Sequence, residues 1–205
     1  MVKDNYTDLR IIRTKESIRE ALVELIEEKG FEAITVKDIT TRARINRGTF
    51  YAHYENKFDL ITKLEDEFMH NIAQITKQNI KNDSDTVEVD LPIILETAVF
   101  EYLNERSDFL NAILGPKGNL TFQTRLRDFM LKIMFGEQSP LIKEEELLVS
   151  KHYLAAYVAS AHIGVIQKWL ETGRRESPQE IAQFLANITV NGTFNAAGLN
   201  SKVKK

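Results

Sequence analysis

The sequence predicts an all-α protein of about nine helices, and three observations carry that expectation. Apolar residues recur three and four positions apart along most of the chain, the spacing of one helix face, and no stretch makes a convincing strand. Among 205 residues there are only 9 glycines and 4 prolines, and all four prolines (Pro92, Pro116, Pro140 and Pro178) lie in the later part. Helix-start chemistry recurs ahead of the apolar stripes. It is most complete at Ser177-Pro178-Gln179-Glu180, which joins a capping Ser, Pro at the first helical position and Glu three residues on.

Residues 8–29 carry Ile11, Ile12, Ile18, Leu22, Leu25 and Ile26 on one helical stripe, and Gly30 follows where a C-cap wants a left-handed residue. Thr35 with Asp38 three residues on is a capping box with Asp in place of Glu, and it predicts a second, short helix over 36–43. After the break Arg44-Ile45-Asn46, Asn46 caps a third short helix over 47–53, with Phe50 and Tyr54 turned inward. Two short helices across a tight turn make a helix-turn-helix. A long amphipathic fourth helix starts at Asn56, carries Phe58, Leu60, Ile61, Leu64, Phe68, Ile72 and Ile75, and ends before a polar hinge, Lys81-Asn82-Asp83-Ser84-Asp85. Five more helices follow over 90–105 (capped by Asp90), 107–114, 119–135, 143–172 and 178–191. Gly115-Pro116, Gly136 with Pro140, and Gly173 separate them, and the Lys-rich end from Ser201 reads as a frayed tail.

This organisation predicts a DNA-binding domain over 1–55 and a helical effector-binding and dimerisation domain over 56–205, with the fourth helix joining them. Charge supports the division. The net charge is −3 overall, but residues 35–57 hold five cations (Lys37, Arg42, Arg44, Arg47, Lys57) against two acids (Asp38, Glu55), so the positive charge is local. With no cysteine there is no disulfide frame and no thiol nucleophile. Nowhere do about 18 apolar residues run together, and the first residues lack a secretory signal's apolar run. The expectation is a cytoplasmic protein with no membrane contact, no cofactor and no metal.

Gly30-Phe31, Thr35-Val36-Lys37-Asp38-Ile39, Ala43 and then Asn46-Arg47-Gly48-Thr49-Phe50-Tyr51-Ala52-His53-Tyr54, with Lys57 and Leu60 behind, closely resemble the DNA-binding domain of the tetracycline-repressor family of bacterial regulators. The resemblance runs from residue 8 to about residue 64. It implies a dimeric transcription factor, most often a repressor, that binds a palindromic operator as double-stranded DNA and is released by a small-molecule effector. Arg47, Gly48 and Thr49 fall at the start of the third helix, the end that a recognition helix presents to base edges. Arg47 can fork onto guanine, Thr49 can meet a base or a thymine methyl, and Gly48 lets backbone approach backbone. By resemblance Tyr51 and His53 hold phosphates. Thr35 and Lys57 add phosphate contacts at helix starts, and Lys37, Arg42 and Asn46 are further candidates.

Two positions depart from the family pattern. Thr40 stands where Ala is usual, a small change in packing. Arg44 stands where the turn usually has Gly, so either the turn differs or Arg44 adopts a left-handed conformation at a cost of about 1 kcal/mol. Its guanidinium is then either one more phosphate contact or simply solvated.

In the C-terminal part, Tyr153, Tyr157, Ala161, Val165 and Trp169 follow strict i+4 spacing beside a small-residue row, Ala156, Ser160 and Gly164. Small rows let helices approach closely. The family's dimer interface uses its last two helices, which by resemblance assigns Ala156, Ser160, Gly164, Ile181, Phe184, Leu185 and Ile188 to it. Phe109-Leu110 through Trp169-Leu170-Glu171-Thr172-Gly173 loosely resembles the dihydroxyacetone-kinase activator branch. A family pocket among helices four to eight would draw on Phe100, Leu103, Phe122, Phe129, Met130, Tyr157 and His162, although an aromatic stripe is more often core.

Two rivals remain. One is a regulator answering to a protein partner instead of a small molecule. The other is a helical-bundle metalloenzyme, for which Glu67-x-x-His70 offers two ligands on one face and residues 144–146 offer carboxylates. Such a site needs a second Glu-x-x-His, and the chain has none; it also lacks Gly-x-Ser-x-Gly, His-Glu-x-x-His and a Gly-rich phosphate loop. No catalytic residue is therefore expected.

Overall fold

The computed structural model describes residues 2–82, 91–135, 145 and 147–197. Their regular structure is helical: α1 (Val2–Lys29), α2 (Val36–Arg42), α3 (Arg47–Tyr51), α4 (Lys57–Asn82), α5 (Leu91–Glu105), α6 (Ser107–Leu114), α7 (Leu120–Phe135), α8 (Lys151–Glu171), α9 (Pro178–Asn191) and a final turn, α10 (Thr193–Ala196). A 3-10 turn, Phe31–Ala33, links α1 to α2. Most expected elements stand within a few residues of their places. Residues 83–85 of the expected hinge, the Asp90 cap, the break from Gly136 to Pro140, Lys143, Glu144, Glu146 and the end from Ser201 lie outside the described residues.

α8 departs from expectation because it starts at Lys151, whereas the apolar run had suggested an earlier start. The Ser150 carbonyl accepts from the N–H groups of Tyr153 (3.1 Å) and Leu154 (3.0 Å), which opens the first turn there. Leu148, counted as helical from its neighbours, is 99% exposed.

The chain forms two compact units. Unit 1 is Met1–Phe68 with Asp108–Phe122, and unit 2 is Met69–Ser107 with Gln123–Lys205. The chain therefore passes from one to the other within α4, at the start of α6 and within α7. In unit 1, Ile18, Leu22 and Ile26 of α1, Ile39 of α2, Phe50 of α3 and Leu60 of α4 are fully buried. Each buried side chain of this size contributes about 1.5–3 kcal/mol. Phe68 meets Phe109 at 6.0 Å and Phe122 at 6.1 Å. Asn119 caps α7, its Oδ1 accepting from the Thr121 N–H at 3.1 Å, while its amide donates at 3.0 Å to the buried Glu65 carboxylate.

In unit 2, α5 packs chiefly on α9, and Phe100 stands edge-on to Trp169 at 5.3 Å. The capping box opening α9 forms as its sequence dictates. The Glu180 N–H donates to Ser177 Oγ at 3.2 Å and the Ser177 N–H donates to Glu180 Oε2 at 2.8 Å.

Buried His162 of α8 lies 2.8 Å from the Val158 carbonyl through Nδ1 and 2.8 Å from Glu96 Oε1 through Nε2. Burial opposes its charge, but the Glu96 hydrogen bond and negative charge outweigh that, and the pKa is raised. The pair's contribution to stability is thus complete below about pH 6.5 and is lost as pH rises through the raised folded value. Thermal unfolding of wild type and Glu96→Gln between pH 6 and pH 9 should show the wild type's advantage shrinking, by about 1.4 kcal/mol per unit of upward shift. A constant difference would mean that His162 does not titrate in this range.

Candidate nucleic-acid interface

The α2–α3 module is built from local capping. Thr35 Oγ1 accepts from the Asp38 N–H at 3.2 Å, and Asp38 Oδ2 accepts from the Thr35 N–H at 2.8 Å and its hydroxyl at 2.6 Å. Lys29 adds an ion pair at 2.8 Å. The Lys29 ammonium and the two Thr35 donors hold the Asp38 carboxyl well below the usual carboxylate range. Thr40 is buried, and its hydroxyl is satisfied by the Lys37 carbonyl at 3.2 Å, so the departure from Ala leaves no orphan polar group.

α2 ends in a Schellman motif. The Arg44 N–H donates to the Thr41 carbonyl (3.3 Å) and the Ile45 N–H to the Thr40 carbonyl (3.0 Å), with Arg44 at φ 54°. The turn therefore keeps the geometry that favours Gly, and Arg44 adopts the left-handed conformation at about 1 kcal/mol. Asn46 then caps α3, its Oδ1 accepting from the Gly48 N–H at 2.9 Å. Phe50 and Tyr54 are buried 5.5 Å apart and fix the helix to the core, leaving Arg47, Gly48 and Tyr51 exposed and Thr49 and His53 half-buried. The Tyr51 ring is braced edge-on by Phe50 at 5.6 Å.

The five cations counted in the sequence divide into two groups. Arg42 is committed to α1, pairing with Glu24 at 2.9 Å and with Glu28. Lys57 is placed differently from the phosphate contact expected of it. Its ammonium donates to the carbonyls of Phe31 (3.0 Å) and Glu32 (2.8 Å) and lies 5.0 Å from the Phe31 and Phe58 ring centres. The carbonyls of a 3-10 turn have few helical partners, and this ammonium supplies one. Lys37, Arg44 and Arg47 have no ion pair among the described residues and are exposed. They stand at the start of α2, in the turn and at the start of α3.

The other candidates are dispersed. Phe122 packs in unit 1, whereas Phe100, Leu103, Phe129, Met130, Tyr157 and His162 belong to unit 2. Phe100 and Leu103 are closed core, Phe129 and Met130 are half-buried, Tyr157 is 61% exposed, and both nitrogens of His162 are engaged within the chain. Helical spacing marked them, and helical spacing marks core first. Ile181 and Leu185 are likewise buried within unit 2, so neither is open to a partner. Ala156, Ser160, Gly164 and Phe184 are exposed and Ile188 is half-buried. Glu67 and His70 are exposed, and among the described residues no three His, Cys, Asp or Glu side chains gather as a metal ion would require. No described helix is long and apolar enough to cross a membrane. Sequence reasoning missed Lys117, whose contacts with α1 lie some ninety positions away in the chain; only its place between Gly115-Pro116 and Gly118 hinted at a shaped loop.

A capped helix, a tight turn through a left-handed residue and a second capped helix with exposed Arg and Gly and a half-buried Thr at its start define a helix-turn-helix module. Residues 18–64 match the model for bacterial regulatory proteins of the tetR family, and residues 96–191 match a model for a transcriptional regulator C-terminal region. The chain belongs to the tetR family. It is 26% identical over 191 residues, 92% of its length, to the uncharacterized HTH-type transcriptional regulator YxbF of Bacillus subtilis (strain 168). That match takes in 48% of the relative, so the chain spans about half the length of the curated relatives it matches. Among solved structures, the TetR transcriptional regulator from Streptococcus agalactiae superposes with a TM-score of 0.60 at 20% identity, covering 91% of this chain and 98% of that one. The dihydroxyacetone kinase operon activator DhaS superposes at 0.55 with 18% identity, covering 87% and 94%.

Proposed function

We propose that this protein is a sequence-specific transcriptional regulator, a homodimer that represses from a palindromic operator and is released by a small-molecule effector. The observation that carries the reading is the composition of α3's start: Arg47 and Gly48 face solvent beside the half-buried Thr49, while Phe50 and Tyr54 anchor the helix from behind. Arg47 and Thr49 would read bases. Lys37, Arg44, Tyr51, His53, Thr35 and the Asn46 amide would set register on phosphates, the division of labour common to such interfaces. The strain at Arg44 has a compensation in this reading, a further phosphate contact. Residues 1–55 would read DNA and 56–205 would bind the effector and the second copy, all in the cytoplasm where the operator is. One observation favours control by a protein partner instead: the core around Phe100 and Leu103 is closed.

Selection of bound duplexes from a random pool by the purified protein tests the proposal. The expected result is a palindrome with half-sites about 34–36 Å apart or somewhat more. Arg47→Ala should relax preference within each half-site and cost about 1–3 kcal/mol, whereas Lys37→Ala should weaken all duplexes alike and lower the salt slope by about one. A pool that yields no enriched sequence would overturn the regulator reading. A known operator whose affinity no small apolar or amphipathic compound alters would favour the protein partner.

A further inference from the structure

Two lysines from distant parts of the sequence close on one short stretch of backbone. Lys57 holds the carbonyls of Phe31 and Glu32. Lys117, in the loop joining α6 to α7, donates to the carbonyls of Glu27 (2.8 Å) and Glu28 (3.4 Å) in the last turn of α1. Those carbonyls end a helix and lack helical donors, and the ammonium also meets the negative end of the α1 dipole. The Lys117 carbonyl in turn accepts from the Phe31 N–H at 3.1 Å. Two residues on, Asn119 reaches Glu65 of α4 at 3.0 Å. The α1–α2 connection, from which the capped α2 and then α3 begin, is therefore gripped from both α4 and the α6–α7 loop.

The loop has little freedom. A Cβ at Gly118 would lie 2.2 Å from the Ile113 carbonyl oxygen, and one at Gly115 would lie 2.6 Å from that of Asn111. Both obstacles are backbone, which cannot swing aside. Although the loop falls in the C-terminal part of the sequence, Asp108–Phe122 clusters with the reading module, and α7 continues from it into unit 2 without a break.

We propose that the loop 115–119 is a second coupling element beside α4, with Lys117 and Asn119 as positioning residues that set the α1–α2 connection and through it the reading helix. A displacement carried along α6 or α7 then reaches α3 without passing through α4. The inference rests on the regulator reading.

The test compares full-length wild type, Lys117→Met, Lys117→Arg and Gly118→Ala. Hydrogen exchange without DNA is expected to speed up over residues 30–34 in Lys117→Met and Gly118→Ala, by about three- to tenfold, with operator affinity weakened by a similar factor. Lys117→Arg restores most of both, because a guanidinium can donate to the same carbonyls. Fluorescence of Trp169, the chain's one tryptophan, reports on unit 2 and keeps its thermal midpoint in all variants. Coupling is reciprocal, so the selected operator duplex should also slow exchange in the unit 2 part of α7 in wild type, and Lys117→Met should abolish much of that response. Unchanged exchange over 30–34 in both disruptive variants would overturn the proposal. So would altered exchange with operator affinity and the α7 response intact, which is how an ordinary helix cap behaves. A wild type that binds no duplex brings down the regulator reading itself, a result distinct from a variant that matches wild type on a duplex the wild type binds.

Discussion

Gly48→Ala is expected to leave the free protein as stable or more stable, by up to about 1 kcal/mol, while weakening operator binding about tenfold or more. The signs differ because the chain itself has no use for Gly at this position. Gly48 lies in α3 without the positive φ that Gly alone tolerates easily, and an added Cβ would meet only Asn46 Oδ1, at an ordinary 3.6 Å. Helix propensity therefore favours Ala. What Gly48 provides is nearness: with no side chain, the start of α3 can bring its backbone against another surface. Gly48→Leu, whose side chain also suits a helix, should cost about a hundredfold in operator affinity with the fold still intact. Thermal melts and operator titrations on the same samples check both halves. If Gly48→Leu bound the selected operator like wild type, α3 would not enter the groove by its first turn, and the roles given to Arg47 and Thr49 would fall with it.

What could be read from the sequence follows the range of the interactions involved. The capping boxes Thr35/Asp38 and Ser177/Glu180 and the Asn46 cap are contacts between residues two or three apart, and all three form as their spacing dictates. Phe50 and Tyr54 were identifiable as core from periodicity and are buried. The fate of the cations was not readable. Arg42 pairs with residues fourteen and eighteen positions away, and Lys57 with carbonyls twenty-five and twenty-six away. Only the packing of α1 on α2, and of Phe58 in α4 on Phe31, settles that these two are internal ties while Lys37, Arg44 and Arg47 stay open. Arg44 itself left two outcomes, since composition does not say whether a turn will change shape or strain its residue; the paired Thr40 and Thr41 carbonyls held the shape. The pocket candidates shared a weakness of another kind. A helical stripe of aromatics says which face is buried but not against what, so Phe100 and Phe122 are both closed core, in different units.

If the protein is the homodimer proposed above, Gly164→Trp is expected to give a monomer whose fold is intact. Gly164 lies inside α8, and among the described residues no heavy atom beyond its chain neighbours and the adjacent backbone of α8 lies within 4 Å of where its Cβ would stand. A single chain would accept almost any side chain there, and Gly in a helix interior costs about 1 kcal/mol relative to Ala. Ala156 and Ser160 precede it at i+4 intervals and are exposed, while Tyr153 and Tyr157 on the same side of the helix are 80% and 61% exposed. Small residues beside uncovered aromatics suit a second helix approaching to about 8–10 Å with its own aromatics packed alongside. An indole at Gly164 would fill that space. Operator affinity should then fall by about a hundredfold or more, because each half-site must be bound without the effective concentration that the other provides. Sedimentation reads the monomer, and an unchanged thermal transition extrapolated to low protein concentration shows that the single chain still folds. Gly164→Ala, which adds one methyl group, should fall between wild type and Gly164→Trp in dimer affinity. If Gly164→Trp remained dimeric with full operator affinity, the partner would have to sit on a face that leaves Gly164 open, and the exposed Tyr153 and Tyr157 would need another covering.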